Sequence, residues 1–211
     1  METLDIIPTR ERIMNISIAQ FAKYGYNGTS MQQIADMAGI RKSSIYNYFK
    51  SKDQILNEIY DLFSEEMTKQ IPSKEQIKLD LAKVQSAEDY WKKRISGYFE
   101  NSITSYAGRL WKVILQEQFR DDRAAALIIG ETSRLIENTA IVFKQMIKKE
   151  LIKKGDPEKL GEEFQYTIQA LHQEYLIRHT FDLEPVTGLQ KALDFIDLFH
   201  SRIRKKAGSV E

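Results

Sequence analysis

Thr29-Ser30-Met31-Gln32-Gln33-Ile34-Ala35-Asp36-Met37-Ala38-Gly39-Ile40-Arg41-Lys42-Ser43-Ser44-Ile45-Tyr46-Asn47-Tyr48-Phe49-Lys50-Ser51-Lys52 is the stretch whose reading decides the fold. It parses as two short helices joined by Ala38-Gly39-Ile40. Thr29 and Ser30 each offer a capping hydroxyl, with Gln32 or Gln33 three residues on to close a capping box. The helix they open is expected to end near Met37, and the next to run from Arg41 to about Phe49. Gly39 suits a tight turn because it lacks a Cβ. Ala35 is small enough for a close helix crossing, and Ile34, Ile40 and Ile45 can fill the core between the pair. The spacing is that of a helix-turn-helix.

Working outward, the same periodicity continues in both directions. A helix is expected from Pro8 to about Tyr24, with Ile13, Met14, Ile16, Phe21 and Tyr24 on one face around Ser17. Ser51-Lys52-Asp53-Gln54 reads as a second capping box, opening a longer helix through Ile55, Ile59, Leu62 and Phe63 that ends before Pro72. A short helix is expected around Ile77 to Val84. Ser86 caps another that carries Trp91, Ile95, Tyr98, Phe99 and Tyr106, and a segment from Leu110 to Phe119 follows. Asp121-Asp122 opens a long helix expected to end in Lys153-Lys154-Gly155, where cations and glycine suit a C-terminus. Asp156-Pro157 restarts the chain. Leu160, Phe164, Ile168, Leu171 and Tyr175 form the next stripe. After Pro185, Leu189, Ala192, Leu193, Ile196, Phe199 and Ile203 mark the last helix, with Lys205 to Glu211 as a frayed tail. The expected fold is all-α, of nine or ten helices, with a helix-turn-helix domain at 1–52 and a helical bundle at 53–211.

Composition narrows the function classes. The chain of 211 residues has no cysteine, which removes disulfides and thiolate metal sites. Met1 to Arg12 has no apolar core of signal-peptide length, and no run approaches the ~18 apolar residues of a membrane span. A cytoplasmic location is expected. Residues 1–52 hold seven Lys/Arg against four acids, a surplus of +3 on a slightly acidic remainder. That distribution is compatible with phosphate binding. No Ser-His-Asp, Walker or Rossmann pattern occurs, so neither enzyme chemistry nor a cofactor is expected. His172 and His179 stand two helical turns apart, ~10 Å, too far to share a metal ion, and no metal site is expected.

The third helix exposes Lys42, Ser43, Ser44, Tyr46, Asn47 and Tyr48: a cation, hydroxyls, an amide and phenols. These side chains reach phosphates and base edges in a major groove. Lys52, in the first turn of the following helix, sits where a phosphate clamp forms.

Gly25-Tyr26, Thr29-Ser30-Met31, Ile34-Ala35, Ala38-Gly39-Ile40 and Ile45-Tyr46-Asn47-Tyr48-Phe49-Lys50-Ser51-Lys52 together resemble the TetR family of transcriptional regulators. The resemblance covers residues 9–56, and beyond residue 60 it is one of architecture. It implies that Tyr46 and Lys52 grip phosphates and that Lys42, Ser44 and Asn47 face bases or the adjacent backbone. It also implies that Ser30 touches a phosphate from the second helix, while Tyr48 and Gln32 stand where some members contact DNA. Arg41 departs from the pattern, replacing a serine that commonly caps the recognition helix. Either another group caps that helix, or Arg41 itself reaches a phosphate.

The resemblance also implies a homodimer reading a palindromic double-stranded operator, paired through the last two helices, about 157–181 and 186–204. The second domain would bind a small, largely hydrophobic effector that shifts the spacing of the two heads. Tyr98, Tyr106, Trp111, His172, Tyr175 and His179 are the candidates to line that site, with Asn138 and Gln173 as further polar groups. Trp91, Trp111, Phe143 and Phe164 each read first as plain core, Trp111 being also an effector candidate. A reading of another class is a ligand-independent architectural DNA-binding protein with a protein partner. Effector-weakened DNA binding separates the two.

Overall fold

The computed structural model describes residues 7–184 and 186–205. Expectations that fall on residues 1–6, on Pro185 and on the tail 206–211 lie outside them. The described residues form ten helices and no strand: α1 Thr9–Tyr24, α2 Met31–Met37, α3 Lys42–Ile45, α4 Lys52–Lys69, α5 Lys74–Ala82, α6 Ala87–Thr104, α7 Tyr106–Glu117, α8 Asp122–Lys148, α9 Pro157–Thr180 and α10 Val186–Ile203. No helix among them is long and apolar enough to cross a membrane.

They divide into two compact units. One contains the described residues up to Gln70 together with Thr104–Gly130, and the other contains Ile71–Ile103 and those from Glu131 onward. A division at 52/53 therefore does not follow the packing. The reason lies in α4, whose Ile55, Ile59 and Phe63 join Ile13, Ile18 and Phe21 of α1 and Ile34 of α2 in one core. Leu110, Val113 and Ile114 of α7 complete that core. Fully burying each such side chain contributes about 1.5–3 kcal/mol. An exposed ion pair such as Arg10–Glu58 at 2.6 Å contributes about 1 kcal/mol or less, so packing decides where α4 belongs.

The second unit is built on a band of aromatic rings. Trp91 of α6 meets Phe164 of α9 at 4.4 Å between centroids, and Phe99 meets His172 and Tyr175 at 5.0 Å each. The order of these contacts makes α6 and α9 run in the same direction. Phe143 of α8 and Phe199 of α10 close the band at 5.7 Å. Gly161 lets α8 and α9 cross at backbone distance: a Cβ there would lie 2.9 Å from the Ala140 nitrogen and 3.0 Å from the Ile136 oxygen.

The stripes of α9 and α10 need no second chain. Phe164, Ile168, Ala192, Ile196 and Phe199 are buried within the protomer, with Leu160, Leu171, Leu189, Leu193 and Ile203 packed against them. The apolar residues left exposed on α9, Tyr166 and Ile177, and on α10, Leu198, lie on other faces.

Three helix ends differ from the expected ones. α3 stops at Ile45 because the chain tightens, Asn47 donating to the Ser44 carbonyl and Tyr48 to that of Ile45. The helix expected to carry Tyr106 ends at Thr104, where the Ser105 hydroxyl accepts from the Gly108 amide at 3.0 Å and starts α7. α8 ends at Lys148 rather than at Gly155. Glu150 takes φ 59°, and the Leu151 amide returns to the Met146 carbonyl, which folds Ile152 into the core.

Candidate nucleic-acid interface

α2 starts on a reciprocal cap. The Ser30 hydroxyl accepts from the Gln33 backbone amide at 3.2 Å, and the Gln33 side-chain oxygen Oε1 accepts from the Ser30 backbone amide at 2.7 Å. Of the two hydroxyls offered, Ser30 takes this role, while Thr29 donates to the Gly25 carbonyl. α2 ends where Gly39 takes φ +68° and the Ile40 amide returns to the Ala35 carbonyl at 3.0 Å. Nothing lies within 4 Å of a Cβ added at Gly39, so conformation alone calls for glycine there.

Arg41 precedes α3 and makes no side-chain cap. Its carbonyl accepts the Ser44 amide at 2.9 Å, and its guanidinium end is left outward in an exposed side chain. Ile45 and Phe49 are fully buried beside Ile34 and Ala35, which fixes the rotation of α3 and the turn after it. Lys42, Ser43, Tyr46, Asn47 and Tyr48 are consequently exposed, and Ser44 is half-buried. Tyr46 and Tyr48 each show 38% of their surface, more than a packing role would leave them. Gln32 is exposed on α2 and donates to Asp36 at 2.6 Å.

Lys52 points the other way. Its ammonium donates to the carbonyls of Tyr26 and Thr29, both at 2.8 Å, and lies 4.0 Å from the centre of the Tyr26 ring. Two of its three donors are thus committed to the turn between α1 and α2, which displaces the expectation that Lys52 grips a phosphate. Ser51 caps α4 by accepting from the Gln54 amide, but Gln54 returns its carbonyl oxygen to the Lys50 amide, so the expected box closes one residue early.

The same turn is held by groups to which sequence reasoning assigns no role. The Tyr26 hydroxyl donates to Asp53, and burial first, then that bond and the Asp53 and Glu117 charges, raise its pKa well above the usual phenol range. Glu117 of α7, 4% exposed, accepts the Tyr26 amide at 3.3 Å, and Gln116 donates to the Ala22 carbonyl at 2.9 Å. No local pattern announces contacts between residues so far apart in the chain.

The effector candidates do not form one group. Trp111 packs on Phe63 at 5.5 Å, and both it and Tyr106 lie against the core of the first unit. Tyr98, His172, Tyr175 and His179 gather in the second. The Tyr98 hydroxyl lies 3.1 Å from His172 Nδ1, and Tyr175 contacts both histidine rings, at 6.4 and 5.9 Å. His172 is 3% exposed, and burial pushes its imidazole down to about 3. His179 is exposed.

A short α2, a turn on a left-handed glycine and an outward polar row after it define a helix-turn-helix protein. Residues 13–59 match the family described as bacterial regulatory proteins, tetR family. Over 56 residues the chain is 36% identical to a probable acrEF/envCD operon repressor of Escherichia coli K12, a match spanning 26% of each chain. The chain therefore spans about a quarter of that relative's length in the alignment. In fold, a TetR transcriptional regulator from Chloroflexus aurantiacus is similar over 98% of this chain and all of its own, with TM-score 0.68 and 20% identity. A SmeT–triclosan complex is similar over 96% of this chain and 94% of its own, with TM-score 0.63 and 16% identity. Residues 13–59 are thus similar to the tetR family of bacterial regulatory proteins, and the chain as a whole shares the fold of the solved TetR regulators.

Proposed function

We propose that the protein is a DNA-binding transcriptional repressor that acts as a homodimer on a palindromic operator and is released by a small, largely hydrophobic effector. The observation that carries this reading is the row Lys42, Ser43, Tyr46, Asn47 and Tyr48, exposed on a segment whose other face is fully buried. Inserted into a major groove, Lys42 and Asn47 would meet base edges, and Tyr46 and Arg41 would meet phosphates. Ser30 contributes through the N-terminus of α2, its hydroxyl being occupied by Gln33. Lys52 acts one step back, holding the turn before α2 in place.

The exposed Tyr166 and Ile177 of α9 and Leu198 of α10, at 54%, 48% and 64%, support pairing through the last two helices. Two heads held about 34 Å apart read half-sites one helical turn apart. The relative named as an operon repressor supports repression, and the fold neighbour that holds triclosan supports an apolar effector. An effector that favours a different head spacing weakens operator binding, and DNA weakens effector binding by the same factor.

Selection of bound duplexes from a random pool tests the reading. Enrichment of a palindrome is the expected result, with binding weakened by a lipophilic compound found in a thermal-shift screen. Tight binding without sequence enrichment, insensitive to every compound, would overturn it in favour of an architectural role.

A further inference from the structure

Within the second unit, the Tyr98–His172 pair leaves one polar atom without a partner. The Tyr98 hydroxyl faces His172 Nδ1 at 3.1 Å, while Nε2 is buried and meets no hydrogen-bonding group among the described residues. The proton on each group follows from its neighbours. Burial and the nearby charge of Glu131 raise the Tyr98 pKa, so the phenol keeps its single proton. Both Glu131 oxygens are already engaged by Arg134. With the Tyr98 proton directed at Nδ1, a neutral imidazole that accepts there carries its hydrogen on Nε2. The result is a buried N–H with no acceptor, which bears the desolvation penalty of an unmade hydrogen bond. Buried groups of that kind are few in folded proteins, and a binding role is one of the explanations they admit.

We propose that His172 Nε2–H is the anchor of the effector site, and that the effector is a neutral aromatic compound presenting a carbonyl or ether oxygen. This deepens the reading of a ligand-responsive regulator and rests on it. The ring faces around the anchor set the body of the ligand. Tyr98 lies 4.4 Å from the imidazole centre, Phe99 5.0 Å, and Tyr175 stacks nearly parallel at 21°. Flat aromatic groups meet such rings by offset stacking or edge contacts. The charge around the anchor sets the ligand's neutrality. The carboxylate of Glu131 beside Tyr98 repels an anion, and its partner Arg134 is already committed to it. Tyr98 is half-buried with its hydroxyl inward, and His179 is exposed, so the cluster reaches solvent at its His179 end.

Acetophenone and ethylbenzene share one skeleton and differ by the acceptor oxygen, and benzoate adds a charge. Calorimetry on the protein without DNA should show acetophenone binding at least about tenfold tighter than ethylbenzene or benzoate. In His172→Phe, which keeps a ring of similar volume, the preference for acetophenone over ethylbenzene should fall to about twofold or less. Imidazole 15N spectra of the wild type should show the hydrogen on His172 Nε2, with a signal moved by acetophenone and not by ethylbenzene. They decide the matter should the variant not fold. A hydrogen on Nδ1, equal binding of the two neutral probes, preference for benzoate, or no binding by any of the three overturns the proposal. Operator affinity is measured separately. Acetophenone that binds at His172 without weakening operator affinity leaves the anchor standing and counts against the regulatory reading.

Discussion

Lys52→Met removes the ammonium and keeps most of the aliphatic stem, so it separates the two tasks open to this lysine, holding the turn and gripping a phosphate. In the structure the charge makes two hydrogen bonds of 2.8 Å to the Tyr26 and Thr29 carbonyls and sits 4.0 Å from the Tyr26 ring. A hydrogen bond to a charged group contributes about 1.5–3 kcal/mol, and an exposed cation–π contact about 0.5–1 kcal/mol. The site is partly exposed, and freed carbonyls regain water, so each hydrogen bond falls to about 1 kcal/mol, the cation–π contact to its lower end, and the loss should be about 2–3 kcal/mol. For a chain of this size that lowers Tm by roughly 4–12 °C. Because the ammonium is not on a phosphate, the slope of log K against log salt for duplex DNA should stay at its wild-type value. Lys42→Met should instead leave Tm unchanged and reduce the slope by about 0.9 if Lys42 neutralises a phosphate, or leave it unchanged if it reads a base. Thermal melts and fluorescence anisotropy across a salt series measure both quantities. A Lys52→Met protein that melts like the wild type while its slope falls by about 0.9 refutes the inward assignment.

The remaining predictions concern conformation and assembly. Gly39→Ala should cost about 1–2 kcal/mol in denaturant unfolding from its φ of +68° alone, since no atom lies within 4 Å of the new methyl. Gly161→Ala should cost about 1–3 kcal/mol for the opposite reason, because its Cβ would meet α8 backbone at 2.9–3.1 Å. Leu198→Glu, on a side chain 64% exposed, should yield a folded species near the 24.6 kDa of one chain by light scattering. Ile196→Asp, at a position 1% exposed, should instead unfold the protomer by burying an unpaired charge.

Much of the fold was legible because capping side chains punctuate it. Ser30, Ser51, Ser86 and Asp156 each accept a backbone amide at a helix start read from the sequence. Ser105 escaped notice because Tyr106 continues the apolar stripe and no Glu or Gln follows to close a box. The end of α8 was misplaced because Lys153-Lys154-Gly155 imitates a C-terminus, whereas the burial of Ile152 ends the helix earlier. The outward row of α3 followed from the apolar spacing of Ile45 and Phe49. The direction of Lys52 did not, since it depends on carbonyls across a turn and on a Tyr26 held in part by Glu117. The effector candidates were split for a similar reason: an aromatic stripe tells that a face is buried, not which core it enters. The unpaired Nε2 of His172 depends on Tyr98, and a pair so distant in sequence leaves no local trace.

The central claim is that the row from Lys42 to Tyr48 reads DNA, and the most direct measurement compares variants of that row on a selected operator at matched salt. Tyr46→Phe should weaken binding by a similar factor on every operator variant, because a phosphate contact carries no sequence information. Lys42→Ala and Asn47→Ala should lose about 1–3 kcal/mol of discrimination at particular base pairs and little elsewhere. Wild-type affinity and specificity in all three variants would contradict the assignment of α3 as the recognition helix.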